Sequence, residues 1–183
     1  MSAINFLIRD ALADDLESCL ALDHSYETET VWQMTIQSES NGWRVSFRPE
    51  RLPRPIEVQY PISSALLERV LYAQQGFFIA CAKDSPTILG YALASYDTIL
   101  QHANVHSVVV SRPFRGHKIG TRLLNVVKRW AQEQTAQTLY AITQTKNMPA
   151  ILFCQRGGLS FCGYNDQYFD NGDIAVSFAQ SLR

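Results

Sequence analysis

The sequence has no apolar run approaching the roughly 18 residues that a membrane-spanning helix needs. Its opening residues reach Arg9 and Asp10 without the basic, apolar and small-residue succession of a secretory leader. Cysteine is sparse: Cys19, Cys81, Cys154 and Cys162 form no Cys-x-x-Cys and no paired Cys/His spacing, so a zinc module is not expected and the thiols read as reduced. These absences point to a cytoplasmic protein. Charged residues make up only 18% of the chain, against about 25% in an average domain. Sixteen Lys and Arg against seventeen Asp and Glu give a net charge of −1, which argues against a wholesale nucleic-acid binder and against an acidic solvating tail. A P-loop, a Gly-x-Gly-x-x-Gly fingerprint, internal repeats and low-complexity tracts are absent as well.

What the chain does have is core material. Of its 183 residues 46% are hydrophobic, with 9 Phe, 8 Tyr and 3 Trp, and the length suits one domain over residues 1–183. Its charge is segregated. Between Asp10 and Glu29 there are seven acids and no base, whereas between Thr98 and Gln132 there are six bases and no acid. Such separation suggests two ligands of opposite charge.

Hydrophobic periodicity predicts a strand over 4–9, a helix whose Leu12, Leu16, Cys19, Leu20 and Leu22 share a face, and a helix over 62–74. Strands follow over 77–82, 88–96 and 103–110, the last two as an antiparallel pair. The clearest helix covers 119–134, with Ile119, Leu123, Leu124, Val127, Trp130 and Ala131 in one stripe. A strand over 139–143 precedes a helix with Pro149 in its first turn, and Asn171-Gly172 between alternating runs signals a hairpin. Residues 25–61 read as an insertion shaping a pocket: strands over 31–36 and 43–47 joined through 39–42, then an irregular connection punctuated by Pro49, Pro53, Pro55 and Pro61. The fold class is α+β, a mixed, mostly antiparallel sheet flanked by helices.

Chemistry concentrates in Val108-Val109-Val110-Ser111-Arg112-Pro113-Phe114-Arg115-Gly116-His117-Lys118-Ile119-Gly120-Thr121. An apolar strand feeds the best helix through a basic, glycine-containing loop. That arrangement presents consecutive backbone N–H groups at a helix N-terminus, where an anion such as a phosphate is favoured. Arg115, Lys118 and Arg122 add positive charge there, and a merely solvated basic face is the plain alternative.

The run Arg115-Gly116-His117-Lys118-Ile119-Gly120 resembles the acetyl-CoA pyrophosphate loop of the GNAT superfamily of N-acetyltransferases, Arg/Gln-x-x-Gly-x-Gly/Ala. The segment Asn147-Met148-Pro149-Ala150 through Phe153 to Gly158-Leu159 is similar to that superfamily's second signature. Val31 to Met34, Leu52 to Pro55 and the tail from Asn165 to Ala175 look most like its streptothricin-acetyltransferase-like branch. The resemblance implies acetyl-CoA as cosubstrate, a sheet split at the acetyl-CoA site, and direct acetyl transfer to a primary amine of a small, cationic acceptor. It implies that backbone of Val108, Val109 and Val110 bonds pantetheine, that amides of Gly116, His117, Lys118, Ile119, Gly120 and Thr121 hold the pyrophosphate, and that Asn147 and Phe153 flank the arm. A non-catalytic CoA-binding module of the same fold, or acetylation of a protein amine, is the alternative. No nucleic-acid, membrane or metal partner is expected, and either a monomer or a homodimer is compatible.

Three departures from the family pattern fall where chemistry is expected. Lys118 stands at the loop's middle glycine, His106 where Asp or Glu often stands, and Cys154 at the usual tyrosine. His106 is the candidate base for the ammonium proton, because its reference pKa of about 6.5 suits that work; a hydrogen-bonded strand histidine is the alternative. His24 and His102 are weaker candidates. A strand amide near Val108, freed by a bulge, would face the oxyanion. Cys154, Tyr164 or Tyr168 would return a proton to the thiolate, and Trp32, Trp43 and Tyr26 are either acceptor-pocket walls or core.

Overall fold

The computed structural model describes residues 4–60 and 62–183. Its strands form a mixed seven-stranded sheet in the order β1 (Phe6–Asp10), β4 (Gly76–Ala82), β5 (Ile88–Asp97), β6 (His102–Val110), β7 (Thr138–Gln144), β9 (Ala175–Ser181), β8 (Ser160–Asn165). A separate two-stranded ribbon joins β2 (Ser25–Glu39) to β3 (Gly42–Gln59). The helices are α1 (Leu16–Leu20), α2 (Ser64–Tyr72), α3 (Ile119–Glu133) and α4 (Met148–Arg156). The α+β architecture is the expected one. Among the described residues no helix is long and apolar enough to cross a membrane.

Contacts group the chain into two compact units. The first comprises the residues up to His24, Tyr60–Ala141 and Ala179–Arg183; the second comprises Ser25–Gln59 and Ile142–Phe178. In the first, strands β1, β4, β5 and β6 pair antiparallel in sequence, and β6 pairs parallel with the start of β7. Alternation along β4 and β5 gives each a buried side chain on both faces. Phe77, Ile79, Tyr91 and Leu93 share one core with Cys19 of α1 and with Leu67 and Val70 of α2. On the other face α3 packs against β4, β5 and β6, burying Ile119, Leu123, Leu124, Val127 and Ala131, the stripe its sequence period predicts. Gly90 is required where β5 crosses β6, since a Cβ there would lie 2.4 Å from the Val109 carbonyl oxygen.

The expected first helix is shorter than its apolar stripe, and Leu12 is exposed. Asp15 sets this boundary. Its carboxylate accepts from the Leu12 amide at 2.7 Å and takes both arms of the Arg9 guanidinium, at 2.7 and 2.8 Å. A 3-10 turn over Ala13–Asp15 then leads into α1.

In the second unit the ribbon runs well past the two expected strands, with pairing from Ser25↔Gln59 to Glu39↔Gly42. The irregular connection expected from Pro49, Pro53 and Pro55 is strand instead, while Pro61 lies outside the described residues. Each strand of a two-stranded ribbon has one unpaired edge, which tolerates the missing proline N–H. Pro53 and Pro55 also fall inside the bulge between the Thr28↔Ile56 and Thr30↔Arg51 pairs. The Asn-Gly signal does not make a two-residue hairpin. Gly172 has φ +76°, but Asn171 is not left-handed as a type I′ turn requires, and a longer loop joins β8 to β9. There Asn171 accepts from the Asp173 amide, while the Asp173 carboxylate is held by Lys146, Gln144 and Asn171 at 2.6 to 2.8 Å.

The Arg9–Asp15 fork yields a pH test. The Arg9 hydrogen bonds hold the Asp15 carboxyl below its ordinary value, against the opposing effect of burial. A depressed carboxyl contributes stability above the unfolded pKa of about 3.9, and the contribution is lost as pH falls through the folded value. Asp15→Asn is therefore expected to cost about 1–3 kcal/mol at pH 7. In urea melts the gap to wild type should close progressively below about pH 4; a gap independent of pH contradicts the assignment.

Candidate active site

The loop after β6 is built by conformation as much as by charge. Arg112–Phe114 forms a 3-10 turn; then Gly116 (φ +82°) and Lys118 (φ +63°) both take left-handed conformations, and Lys118 caps α3. A Cβ at Gly116 would meet nothing within 4 Å, so that glycine answers to its backbone angle and not to crowding. The first backbone bond of α3 is Arg122 N–H to the Lys118 carbonyl, at 3.0 Å. The amides of Ile119, Gly120 and Thr121 therefore project from the helix start without intrahelical acceptors, with the positive end of the helix dipole behind them.

The basic side chains around this loop do different work. Arg115 donates from Nε to the Val110 carbonyl and from its terminal nitrogen to the Asp23 carbonyl, each at 2.9 Å. It braces the loop against β6 and the end of α1. Arg112 lies 3.9 Å from the Asp23 carboxylate, and Arg122 sits over the Phe6 ring at 5.0 Å. His117 Nδ1 contacts the carbonyls of Phe114 and Arg115, so its ring belongs to the turn itself. Part of the acidic segment is likewise engaged: Asp15 by Arg9, Asp23 by the loop arginines and Glu29 by Arg51.

Strand β6 is paired unevenly. Against β5 its register shifts between Leu93↔Ser107 and Ala94↔Val105, which leaves His106 as the extra residue of a bulge. Against β7 the parallel pairing runs from His102↔Thr138 to Val105↔Ala141 and stops. From His106 to Val110 the strand thus keeps one paired edge, toward β5, among the described residues. On the face it shares with Asn104, the partner of Ser95, His106 meets Ser95, with Nε2 to Oγ at 2.7 Å. Burial, and secondarily the Arg69 charge, lower its pKa below the ordinary histidine value.

The other candidates are distributed as follows. His24 Nε2 meets the hydroxyl of the fully buried Tyr91 at 2.9 Å, and burial lowers its pKa too. His102 stands edge-on to Tyr140, 5.0 Å between centroids. In the second unit, buried Asn147 caps α4 by accepting from the Ala150 amide at 3.1 Å; Phe153 and Cys154 follow on that helix. Burial pushes the Cys154 thiol up to about 11, so it stays protonated at neutral pH and has no thiolate with which to act as a nucleophile. Tyr168 is 51% exposed and packs edge-on against Phe169; Tyr164 lies against Phe47. Trp32 is clustered with Phe47, Phe161 and Phe178, Tyr26 donates to Gln144, and Trp43 is exposed, so the three aromatics do not form one wall.

Two residues escaped the sequence reading. Ser95 is an ordinary strand serine until the pairing of β5 with β6 brings His106 to it. Thr143, 4% exposed, has a buried hydroxyl oxygen with no hydrogen-bond partner among the described residues. A threonine on a strand carries no signal of that kind.

Comparison with known proteins places this geometry. The model of the acetyltransferase (GNAT) family matches residues 32–158. No curated protein matches the chain in sequence. Among solved structures, nourseothricin acetyltransferase superposes with a TM-score of 0.83 at 24% identity, over 97% of this chain and 99% of that one. A streptothricin-acetyltransferase candidate from Bacillus anthracis str. Ames, in complex with acetyl coenzyme A, gives 0.74 at 18% identity, over 98% and 99% of the two chains. Ard1 from Thermoplasma volcanium gives 0.72 at 15% identity, over 98% and 99%. At these identities the structures speak to the fold, and the family match carries the assignment: the chain belongs to the acetyltransferase (GNAT) family and is an N-acetyltransferase that takes acetyl-CoA as cosubstrate.

Proposed function

We propose that the protein transfers the acetyl group of acetyl-CoA directly to a primary amine of a small cationic acceptor, with His106 as the base. The observation that carries this reading is the β6 bulge. It presents a histidine of lowered pKa on the stretch of strand that β7 does not pair. Ser95 occupies Nε2, which leaves Nδ1 to take the ammonium proton. The free amine then attacks the thioester carbonyl carbon; the C–N bond forms, the C–S bond breaks, and the thiolate leaves and acquires a proton. A thiolate whose conjugate acid has a pKa near 8.5 leaves without obligatory acid catalysis. With Cys154 held near 11, proton return from it runs uphill.

The residues present suit the cosubstrate. Three projecting amides at the start of α3, beside Lys118 and an open Gly116, would hold a diphosphate. Backbone of Val108 to Val110 would meet the pantetheine arm. The buried, unpartnered Thr143 hydroxyl has the character of a group that awaits a ligand. Two of the solved structures most like this chain are described by streptothricin-type antibiotics, which supports a cationic acceptor. A thiol-release assay across streptothricin, aminoglycosides, polyamines, lysine derivatives and peptides tests the acceptor class; turnover confined to peptides overturns it.

The base assignment predicts that His106→Gln lowers kcat/KM about 10²- to 10⁴-fold while acetyl-CoA affinity stays within twofold. Because the imidazole is neutral above its lowered pKa, the wild-type profile should be level at neutrality and decline only below about pH 6.5. That acid limb should be absent from the variant, and a limb of the same shape in both would remove His106 from the role.

Thr143→Val is expected to move stability and binding in opposite directions. Losing an unpaired buried hydroxyl leaves the ligand-free protein as stable or up to about 1 kcal/mol more stable, while acetyl-CoA affinity by calorimetry falls roughly three- to tenfold. Unchanged affinity would make Thr143 a core residue only.

A further inference from the structure

The guanidinium of Arg115 is held between two carbonyls from different segments. Nε donates to the Val110 carbonyl at the end of β6, and a terminal nitrogen donates to the Asp23 carbonyl after α1, each at 2.9 Å. Two bonds from one rigid, planar fork fix its plane as well as its position. The bond to Val110 also bears on the strand. Ser111 donates its N–H to the Leu89 carbonyl at 2.9 Å. In the alternation of an antiparallel pair, Val110 opposite Gly90 and Val108 opposite Ala92 therefore turn their N–H and carbonyl groups away from β5. The Val110 carbonyl is the last acceptor on that open edge of β6, and Arg115 takes it. The Val108 N–H and carbonyl and the Val110 N–H are left for a bound arm.

The position of Arg115 in the loop gives this clamp its purpose. Before it the chain is closed into a 3-10 turn, with Phe114 N–H bonded to Ser111 and Arg115 N–H to Arg112. After it comes Gly116, at φ +82° and with nothing within 4 Å of a Cβ, where the backbone turns without steric penalty. The amides that open α3 follow. We propose that Arg115 is a positioning residue that fixes the spacing between the open edge of β6 and the amides at the start of α3, so that one acetyl-CoA molecule engages both, and that it is not itself a phosphate ligand. The inference rests on the placement of acetyl-CoA proposed above. A ligand that spans two half-sites gains affinity over its fragments only when their spacing matches its own. Fixing that spacing in the free protein removes an ordering cost from binding. A phosphate contact would ask of Arg115 only its charge, whereas a clamp between two carbonyls asks for the fork, which lysine lacks.

Titration calorimetry with acetyl-CoA and with its two halves, S-acetylpantetheine and adenosine diphosphate, separates these roles in the wild type, Arg115→Lys and Arg115→Gln. Both variants are expected to bind acetyl-CoA roughly tenfold more weakly, the equivalent of about one hydrogen bond to a charged group, while each half binds within about twofold of its wild-type affinity. A general loss of stability would not give this pattern, because it acts on the whole ligand and on its halves alike. An adenosine diphosphate affinity that falls together with that of acetyl-CoA overturns the inference in favour of direct phosphate contact, and so does a lysine that restores wild-type binding. Unchanged acetyl-CoA affinity in both variants overturns it as well. Halves that fail to displace acetyl-CoA from the wild type overturn the placement of the cosubstrate, and the inference with it.

Discussion

A β-strand that is hydrogen-bonded along one edge only is the constraint from which the candidate site follows. Up to Val105, β6 lies between β5 and β7; beyond it the pairing with β7 ends, while the pairing with β5 continues to Val110. A strand held on one edge stays straight and rigid while offering unpaired backbone groups on the other. Such a surface accepts an extended, amide-bearing molecule in the way a sheet accepts another strand. The close approach of Gly90 to the Val109 carbonyl belongs to the same device, because it seats β6 firmly against β5 where the other edge gives no support. The bulge falls at the residue where the two pairings part. His106, two residues beyond Asn104, the partner of Ser95, shares that face and reaches the Ser95 hydroxyl.

The same strand delivers the chain into the loop before α3, where electrostatics and backbone geometry are linked. Two left-handed residues within three positions turn the chain sharply enough to point successive amides outward. A lysine in that conformation is disfavoured by about 1–2 kcal/mol relative to glycine, so Lys118 contributes charge at a conformational cost. The surrounding arginines do not all crowd the helix start. Arg115 is tied to two carbonyls and Arg112 lies near Asp23. This explains how a stretch of six bases and no acid avoids dispersing itself: the residue at the end of α1 supplies the counterbalance, and the helix amides carry the anion-binding character.

Much of this was legible in the sequence, for identifiable reasons. The stripe of α3 is set by a 3.6-residue period that tertiary packing reinforces, and the strand–loop–helix order around Arg115 to Gly120 is a local pattern with a local physical meaning. Asn147 and Pro149 announce the start of α4 because capping is decided within four residues. What was illegible depends on partners distant in sequence. The bulge at His106 exists only relative to β5, and Ser95 acquires significance only through His106. The prolines of β3 read as loop because a proline states that a hydrogen bond is missing, not that the missing bond faces an open edge. Asn171-Gly172 rightly signals that β8 and β9 are neighbours, but not the length of their connection, which Lys146 and Gln144 help to set by holding Asp173.

The charge segregation shows why a sequence-level asymmetry must be traced to atoms before it is given a ligand. A basic run and an acidic run of similar charge invite a symmetrical interpretation, one anion and one cation. In the folded chain the two are unequal. The basic run contains a helix start whose first amides have no intrahelical acceptor. Part of the acidic run is taken up by structure: Asp15 closes the fork with Arg9 and fixes where α1 begins, and Asp23 steadies the loop arginines. A carboxylate held in a bidentate guanidinium fork is a weak electrostatic lure for a further cation, because the pair's field is dipolar and falls off faster than that of a lone charge. The cationic acceptor proposed above would therefore be recognised by carboxylates outside these pairs or by carbonyl and aromatic groups.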